Sequence, residues 1–268
     1  GFGSSDTAEQ LGPALQLLDL PGAAQHWQTV LDPAHARDLP DHALCGYPLF
    51  AAAGYLALLL DWLNDQQQPL QCADFNLDRP LWLNTGSVQL QAVCNGDVFS
   101  FHARTPQVED GGSWQLHGQL RLTTAAEPPI QPLPALQFDP GDELHVANFY
   151  RSLKSVGLEY GNCYQPLVAL QANATGAEAL LHRPESAPDR SLIDGCFQLV
   201  AAVLARTNAD GQLLLPVGVE QMQMLRWPLP DQLRCRLKLR RDDHSQGDEG
   251  SRAHLTADLD VLDLSGDL

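Results

Sequence analysis

Two short stretches of this 268-residue chain carry side chains able to move protons. In DHALCGYPLFAAAGYL, residues 41–56, His42 and Gly46 stand four apart, just before an apolar, alanine-rich run that predicts a buried helix. An imidazole ordinarily titrates close to neutrality, so at the mouth of an apolar pocket it can take a proton from a weakly acidic carbon. In LIDGCFQ, Asp194 and Gln198 are also four apart, which places them on one helical face, and Asp194 interrupts an otherwise apolar surface. A carboxyl held among apolar groups favours its neutral form, the state that an acid catalyst needs at neutral pH. Each residue also has a plain structural reading. His42 can be a hydrogen-bonded histidine beside the core, and Ser191 with Asp194 three positions later spells a capping box at a helix start.

The elements that must position these groups fall into two halves. Pro128, Pro129, Pro132, Pro134 and Pro140 forbid a regular helix and predict an extended connector, dividing the chain into 1–130, a linker at 131–142, and 143–268. The first half predicts an apolar helix from Phe50 to Leu63, then alternating strands at Ser87–Val93, Val98–Ala103 and Trp114–Leu122. The second predicts an amphipathic helix from Asp142 to Ser155, a strand from Tyr164 to Ala172 and an apolar helix from Leu192 to Ala205. Strands at Leu213–Val219, Gln232–Arg240 and Ala253–Leu262 complete it. One apolar helix and several strands per half is the pattern of an α+β protein in which each antiparallel sheet wraps a central helix.

Composition narrows the function classes. With 44% hydrophobic and 18% charged residues the chain can bury a core. Its longest uncharged apolar run, Leu49 to Leu60, is shorter than the roughly 20 residues of a membrane span. The GFGSSDTAEQ opening lacks the basic start and apolar core of a secretory signal and is set aside from the fold. Six cysteines without a C-x-x-C pair fit a reducing cytoplasm, and nine histidines without H-E-x-x-H predict no metal. A formal charge of -17 argues against nucleic acid or an anionic membrane surface as partner. Against that background LRCRLKLRR, residues 233–241, holds five of the sixteen Lys and Arg residues. Leu233, Cys235, Leu237 and Leu239 alternate with Arg234, Arg236, Lys238 and Arg240, so one strand face is apolar and the other basic. That stripe is either an ordinary solvated face or a docking edge for an acidic partner.

Taken together, these segments resemble the dehydratase domain of modular polyketide synthases. DHALCGYPLF resembles its His-x-x-x-Gly-x-x-x-x-Pro motif through His42 and Gly46, and GLEYGNCYQ its Tyr-Gly-Pro-x-Phe segment through Tyr160 and Gly161. LIDGCFQ resembles its Asp-x-x-x-Gln motif through Asp194 and Gln198, and LLLPVGVEQ the Leu-Pro strand that follows. Three positions depart: Ala51 stands at the final proline, Asn162 at the proline after Tyr-Gly, and Tyr164 at the phenylalanine.

The resemblance implies a double-hotdog fold and elimination of water from a 3-hydroxyacyl thioester carried on the phosphopantetheine arm of an acyl carrier protein, with no bound cofactor. In that setting His42 is the base and Asp194 the acid. Gly46, expected at the start of the first helix, polarises the thioester carbonyl; Tyr160, Gly161 and Gln198 orient substrate and acid; and Ala51 shapes the wall. The acidic carrier would meet Arg234, Arg236, Lys238 and Arg240, and the other partners would be further domains of a multidomain synthase serving polyketide or antibiotic biosynthesis, with a homodimer open. Relatives that shift double bonds or close pyran rings by oxa-Michael addition also depart at these motifs and give the alternative reading; a non-catalytic scaffold module is the third.

Overall fold

Side chains that alternate apolar and polar along the first half become strands, and the run that is apolar all round becomes the helix they cover. The computed structural model of the protein describes residues 14–84, 86–105, 112–123, 130–207, 215–240 and 255–264. The GFGSSDTAEQ opening, the start of the proline connector at 124–129, residues 213–214 and 253–254 of two expected strands, and Arg241 lie outside the described residues. Strands β1 (Gln16–Leu18) and β2 (Gln25–Leu31) come first, then a short hairpin of β3 (His42–Leu44) and β4 (Tyr47–Pro48). Helix α1 (Ala52–Asp65) leads into β5 (Gln71–Leu77), β6 (Val88–Asn95), β7 (Val98–Arg104) and β8 (Gln115–Leu122). After the connector come α2 (Val146–Ser155), β9 (Leu158–Tyr160), β10 (Leu167–Ala172), β11 (Gly176–His182) and α3 (Asp189–Leu204). The last strands are β12 (Gly218–Gln223), β13 (Gln232–Leu239) and β14 (Ala257–Leu262). The named strands pair antiparallel in three sheets, in the orders β1-β2-β6-β7-β8-β5-β12, β10-β11-β13-β14 and β4-β3-β9. The fold is therefore mixed α/β, antiparallel sheets with few helices.

Period-two alternation decides which face turns inward. Val88, Leu90 and Ala92 of β6 and Phe99, Phe101 and Ala103 of β7 are buried, with Leu90 opposite Ala103 and Ala92 opposite Phe101. Helix α1 lies on that face. Its Tyr55 ring meets Phe101 edge-on at 5.0 Å, and Trp62 lies 4.9 Å from Phe99 and 5.2 Å from Trp27 of β2. Every residue from Ala53 to Leu63 except Asp61 is buried, and α1 also packs against α3. Each large apolar side chain so buried contributes about 1.5–3 kcal/mol. Helix propensities among ordinary residues differ by at most about 0.7 kcal/mol, so packing sets this helix.

The second half uses the same device. Ala177, Ala179 and Leu181 of β11 face Leu237, Cys235 and Leu233 of β13, all buried. Helix α3 covers them at close range: a Cβ on Gly195 would stand 2.4 Å from Pro166 Cγ and 2.7 Å from Leu181 Cδ2. Two pairings then stitch the halves together. β12 returns to the edge of the first sheet with Val219 opposite Phe75, and β9 pairs with β3 so that Tyr160 lies opposite His42. The described part of the connector, 130–139, has no regular structure and is tied at Ile130, whose amide donates to Gln223 Oε1 at 3.0 Å.

Several boundaries move for identifiable reasons. The helix expected from Asp142 begins at Val146, because the Leu144 amide is committed to Leu170 O (2.9 Å) and Glu143 bridges Gln171. The strand expected from Tyr164 begins at Leu167, since Asn162–Tyr164 forms a 3-10 turn. The strand expected at Leu213–Val219 takes regular form at Gly218–Gln223. Strands β1 to β5, β9 and β11 go beyond the expected set. β11, GAEALLH, has a helix former's composition, and pairing on both sides with β10 and β13 overrides it.

The Tyr55 hydroxyl is buried with no hydrogen-bond partner among the described residues, and burial pushes its pKa far up. Tyr55→Phe keeps the ring packing and removes an unpartnered polar group, so it is expected to raise stability by about 1 kcal/mol. Urea unfolding followed by tryptophan fluorescence measures this; an equal or lower midpoint would mean the hydroxyl is satisfied in solution.

Candidate active site

β3 delivers His42 into the interior because the chain reverses immediately after it. Cys45 (φ 51°) and Gly46 (φ 81°) both lie in the left-handed region between the paired residues Leu44 and Tyr47, the arrangement of a two-residue type I′ hairpin. Gly46 thus occupies a hairpin tip and not the start of the first helix, which begins at Ala52 with Ala51 as its N-cap. Ala51 is buried at that cap, with φ -63°.

His42 is 7% exposed, and its Nδ1 lies 2.8 Å from Leu49 O. A carbonyl only accepts, so Nδ1 carries the proton of the neutral ring and Nε2 keeps its lone pair. That Nε2 faces Asp194 Oδ1 at 3.7 Å, beyond hydrogen-bonding distance. The rings of Tyr160 and Tyr164 flank the imidazole at 5.5 and 5.3 Å.

Asp194 reaches this position from α3. The helix starts at Asp189 behind Pro188, so Ser191 and Asp194 lie inside it and form no capping box; Ser191 Oγ instead donates to Cys163 O. The Asp194 carboxyl is 4% exposed, and burial raises its pKa above the usual carboxylate range, partly opposed by His42 and by Gln198. Gln198 Nε2 donates both to Asp194 Oδ2 and to Tyr164 O, each at 3.0 Å. Tyr150 Oη donates to Gln198 Oε1 at 3.0 Å and accepts from the Leu167 amide at 3.4 Å. With Oδ2 already accepting an N–H, the proton of the neutral carboxyl belongs on Oδ1, the oxygen that faces His42.

A cleft of about 710 Å³ lies next to the segments that carry this pair, lined among others by Gly46, Pro48, Tyr150, Arg151, Lys154 and Tyr160; His42 and Asp194 themselves lie behind its wall and do not line it. Tyr150 and Tyr160 belong both to its wall and to the surroundings of the dyad, their rings 6.2 Å apart. Burial, then Asp194, holds the Tyr160 hydroxyl well above its ordinary pKa. Gly161 is required by a close approach: Asp41 accepts the Gly161 amide on its carbonyl (2.7 Å) and the Cys163 amide on Oδ2 (2.8 Å), and a Cβ on Gly161 would lie 2.2 Å from the Asp41 carboxyl.

Of the residues singled out in the sequence, His42, Tyr160, Asp194 and Gln198 come together, Gly46 and Gly161 line the adjoining cleft, and Ala51 caps α1. Arg234, Arg236, Lys238 and Arg240 lie at the other sheet, on or just after β13, and none lines the cleft. Arg236 pairs with Glu178 at 2.8 Å and Arg234 approaches the same carboxyl at 3.8 Å. Arg240 engages Glu220 and Asp258. Tyr150 and Asp41 were not legible as site residues; Tyr150 sits on the expected amphipathic helix but in no motif. Among the described residues no group of three potential ligands could hold a metal, and no helix is long and apolar enough to cross a membrane.

Residues 129–268, more than half of the chain, match the family model described as polyketide synthase dehydratase N-terminal domain. The chain belongs to the polyketide synthase dehydratase family. It is 26% identical over 246 residues to prosolanapyrone synthase of Alternaria solani, covering 76% of this chain and 9% of that protein. It is 25% identical over 227 residues to a phenolphthiocerol/phthiocerol polyketide synthase of Mycobacterium tuberculosis, covering 77% and 10%. The chain thus spans about a tenth of the length of these relatives. Among solved dehydratases, the domain from the CurF module of the curacin polyketide synthase shares the fold at TM-score 0.75 with 21% identity, covering 97% of this chain and 94% of that one. The domain from the CurJ module does so at TM-score 0.77 with 18% identity, covering 96% and 92%.

The raised pKa of Asp194 has a sign for the stability of this family member. Its carboxyl binds a proton more tightly folded than unfolded, so stability falls as pH rises from the ordinary carboxylate value through the folded value. Asp194→Asn removes that loss. The melting temperature of the variant, relative to the parent, is expected to be flat below about pH 4 and to rise toward pH 8. A difference constant with pH in differential scanning fluorimetry would mean that Asp194 titrates normally.

Proposed function

We propose that the protein eliminates water from a 3-hydroxyacyl thioester carried on the phosphopantetheine arm of an acyl carrier protein, leaving an enoyl thioester. The observation that carries this reading is the 3.7 Å separation of His42 Nε2 and Asp194 Oδ1 with their opposite hydrogen-bond settings. A base with a free lone pair and a buried acid with a proton to give face one another without neutralising each other. His42 Nε2 takes the proton alpha to the thioester carbonyl. The electron pair released from that C–H bond forms the alkene, the C–O bond at the beta carbon breaks, and Asp194 Oδ1 protonates the departing hydroxyl, so that water leaves. No electrons leave the substrate, and the step requires no redox cofactor. Gln198 and Tyr150 hold Asp194 in orientation, and Tyr160 lines the approach.

Supporting context comes from a structural neighbour. The CurK dehydratase has been solved as an inactive mutant both with a histidine changed to phenylalanine and with an aspartate changed to asparagine. Each half, an antiparallel sheet with a central apolar helix, is consistent with a double hotdog, and the natural setting would be a cytoplasmic multidomain synthase that supplies the carrier. Arg151 and Lys154 line the cleft and are one cationic feature open to the arm's phosphate, although Arg151 donates to Asn148 Oδ1 (2.7 Å) and Lys154 lies 3.9 Å from Glu159, which lines the same cleft. The stripe of Arg234, Arg236, Lys238 and Arg240 is the second cationic feature open to an acidic carrier, with three members already sharing carboxylates.

Incubation with a panel of 3-hydroxyacyl pantetheine thioesters, with water loss followed by mass spectrometry, tests the activity. His42→Ala and Asp194→Asn are each expected to lower kcat by about 10²–10⁴-fold with the circular dichroism spectrum retained, and the double variant to lose much less than the product of the two. Substantial turnover by either folded single variant would falsify the assignment. For docking, Arg151→Glu with Lys154→Glu is expected to raise KM for a carrier-bound substrate about tenfold and leave a free pantetheine substrate nearly unchanged. The same change at Arg236 and Lys238 separates the two candidate edges; equal effects on both substrates would reject either as a docking surface.

A further inference from the structure

A buried ion pair joins α3 to the segment that leads into His42. Arg190, in the first turn of α3, donates from Nε to Asp38 Oδ2 at 2.6 Å, and its Nη2 contacts the same oxygen. Asp38 precedes the 3-10 turn Leu39–Asp41 that runs directly into His42. Both partners are almost completely buried, at 5% and 6% exposure. The spacing is the informative part. Arg190 is four residues before Asp194, one helical turn away on the same face of α3, and Asp38 is four residues before His42. One ion pair and one acid-base pair therefore span the same gap in consecutive layers.

The layer is reinforced by its neighbours. Ser191, next to Arg190, donates to Cys163 O, while the Cys163 amide donates to Asp41 Oδ2, so a second link from α3 to the segment before His42 passes through one residue. Tyr164, where the family pattern quoted above has phenylalanine, is 1% exposed and sets its ring 5.3 Å from His42. Its backbone carbonyl accepts from Gln198 Nε2 at 3.0 Å, so the residue touches both members of the dyad's surroundings.

We propose that the buried Asp38–Arg190 pair is a positioning latch that fixes the separation of His42 and Asp194 across the two halves of the chain, its effect on turnover resting on the elimination reading. A buried ion pair is a poor source of net stability, since desolvation cancels much of its attraction and apolar side chains of similar volume often replace it without loss. What it supplies is geometry: Arg190 Nε and Nη2 both close on one buried oxygen, Asp38 Oδ2, and a rigid guanidinium held that way leaves the two side chains few separations and angles.

That distinction gives the test. Asp38→Leu/Arg190→Met replaces the charges by apolar bulk and is expected to unfold within a few degrees of the parent. Its kcat for a 3-hydroxyacyl pantetheine thioester is expected to fall about 30-fold or more with KM within about threefold. Hydrogen exchange of the amides at 39–45 is expected to quicken while that of β6 and β7 stays unchanged. A role in stability alone predicts the reverse, a lowered melting temperature and an intact kcat. The proposal is overturned if the folded double variant keeps kcat within about threefold of an active parent. Should the parent show no turnover, the elimination reading falls and exchange decides the latch: faster exchange at 39–45 supports it, parent-like exchange overturns it. If the double variant does not fold, Arg190→Lys, which keeps the charge but loses the planar fork, is read by the same two measurements and the same thresholds.

Discussion

A helix with almost no polar face has to be covered on nearly every side, and in this protein that helix is α1. One side is met by the seven-stranded sheet, through Tyr55 and Trp62 against Phe101 and Phe99. Another is met by α3, itself held close to the second sheet at Gly195. Much of the architecture follows from that requirement. Once α3 is used as cover for α1, a carboxyl on α3 can be brought against the loop that leads into α1, and this is where Asp194 and His42 meet. The dyad is thus a by-product of how two apolar helices hide from water, refined by local hydrogen bonds.

Those local bonds give two similarly buried groups different chemical characters. His42 gives its Nδ1 proton to a backbone carbonyl, which leaves the opposite nitrogen basic. Among the described residues Asp194 receives an amide on one oxygen only, and the cost of burying its charge exceeds what that donor and the nearby imidazole return. The asymmetry is set by partners supplied from far along the chain: Leu49 by the segment after the hairpin, Tyr150 by α2, Tyr164 by the turn after β9.

How much of this was legible in the sequence depends on whether the signal is local. The proposed site residues His42, Asp194 and Gln198 stood out by residue type and spacing within one segment, and Tyr160 through the family resemblance; the fold brings the four together. The central helices were recoverable because continuous apolarity encodes them, as were β6, β7 and β8 because alternation does. Strand β11 was not, since its alanines and leucines carry no strand signature until β10 and β13 flank it. Gly46 was misplaced because a glycine before an apolar run reads as a helix entry, while two successive left-handed residues form a hairpin. Asp38, Arg190 and Tyr150 were silent for one reason: each is an ordinary polar residue whose meaning lies in a partner distant in sequence.

The return of β12 to the edge of β5 bears on how the chain acquires its shape during synthesis. On a ribosome, the first half emerges with β5 unpaired on that side, and the strand that closes the edge is made only after α3. Until then the nascent sheet presents a row of open amides and carbonyls, the template on which chains join one another. Cutting at the proline connector, the obvious place to divide the molecule, would make that transient exposure permanent. The two halves are better regarded as one cooperative unit whose first part waits for its last strand.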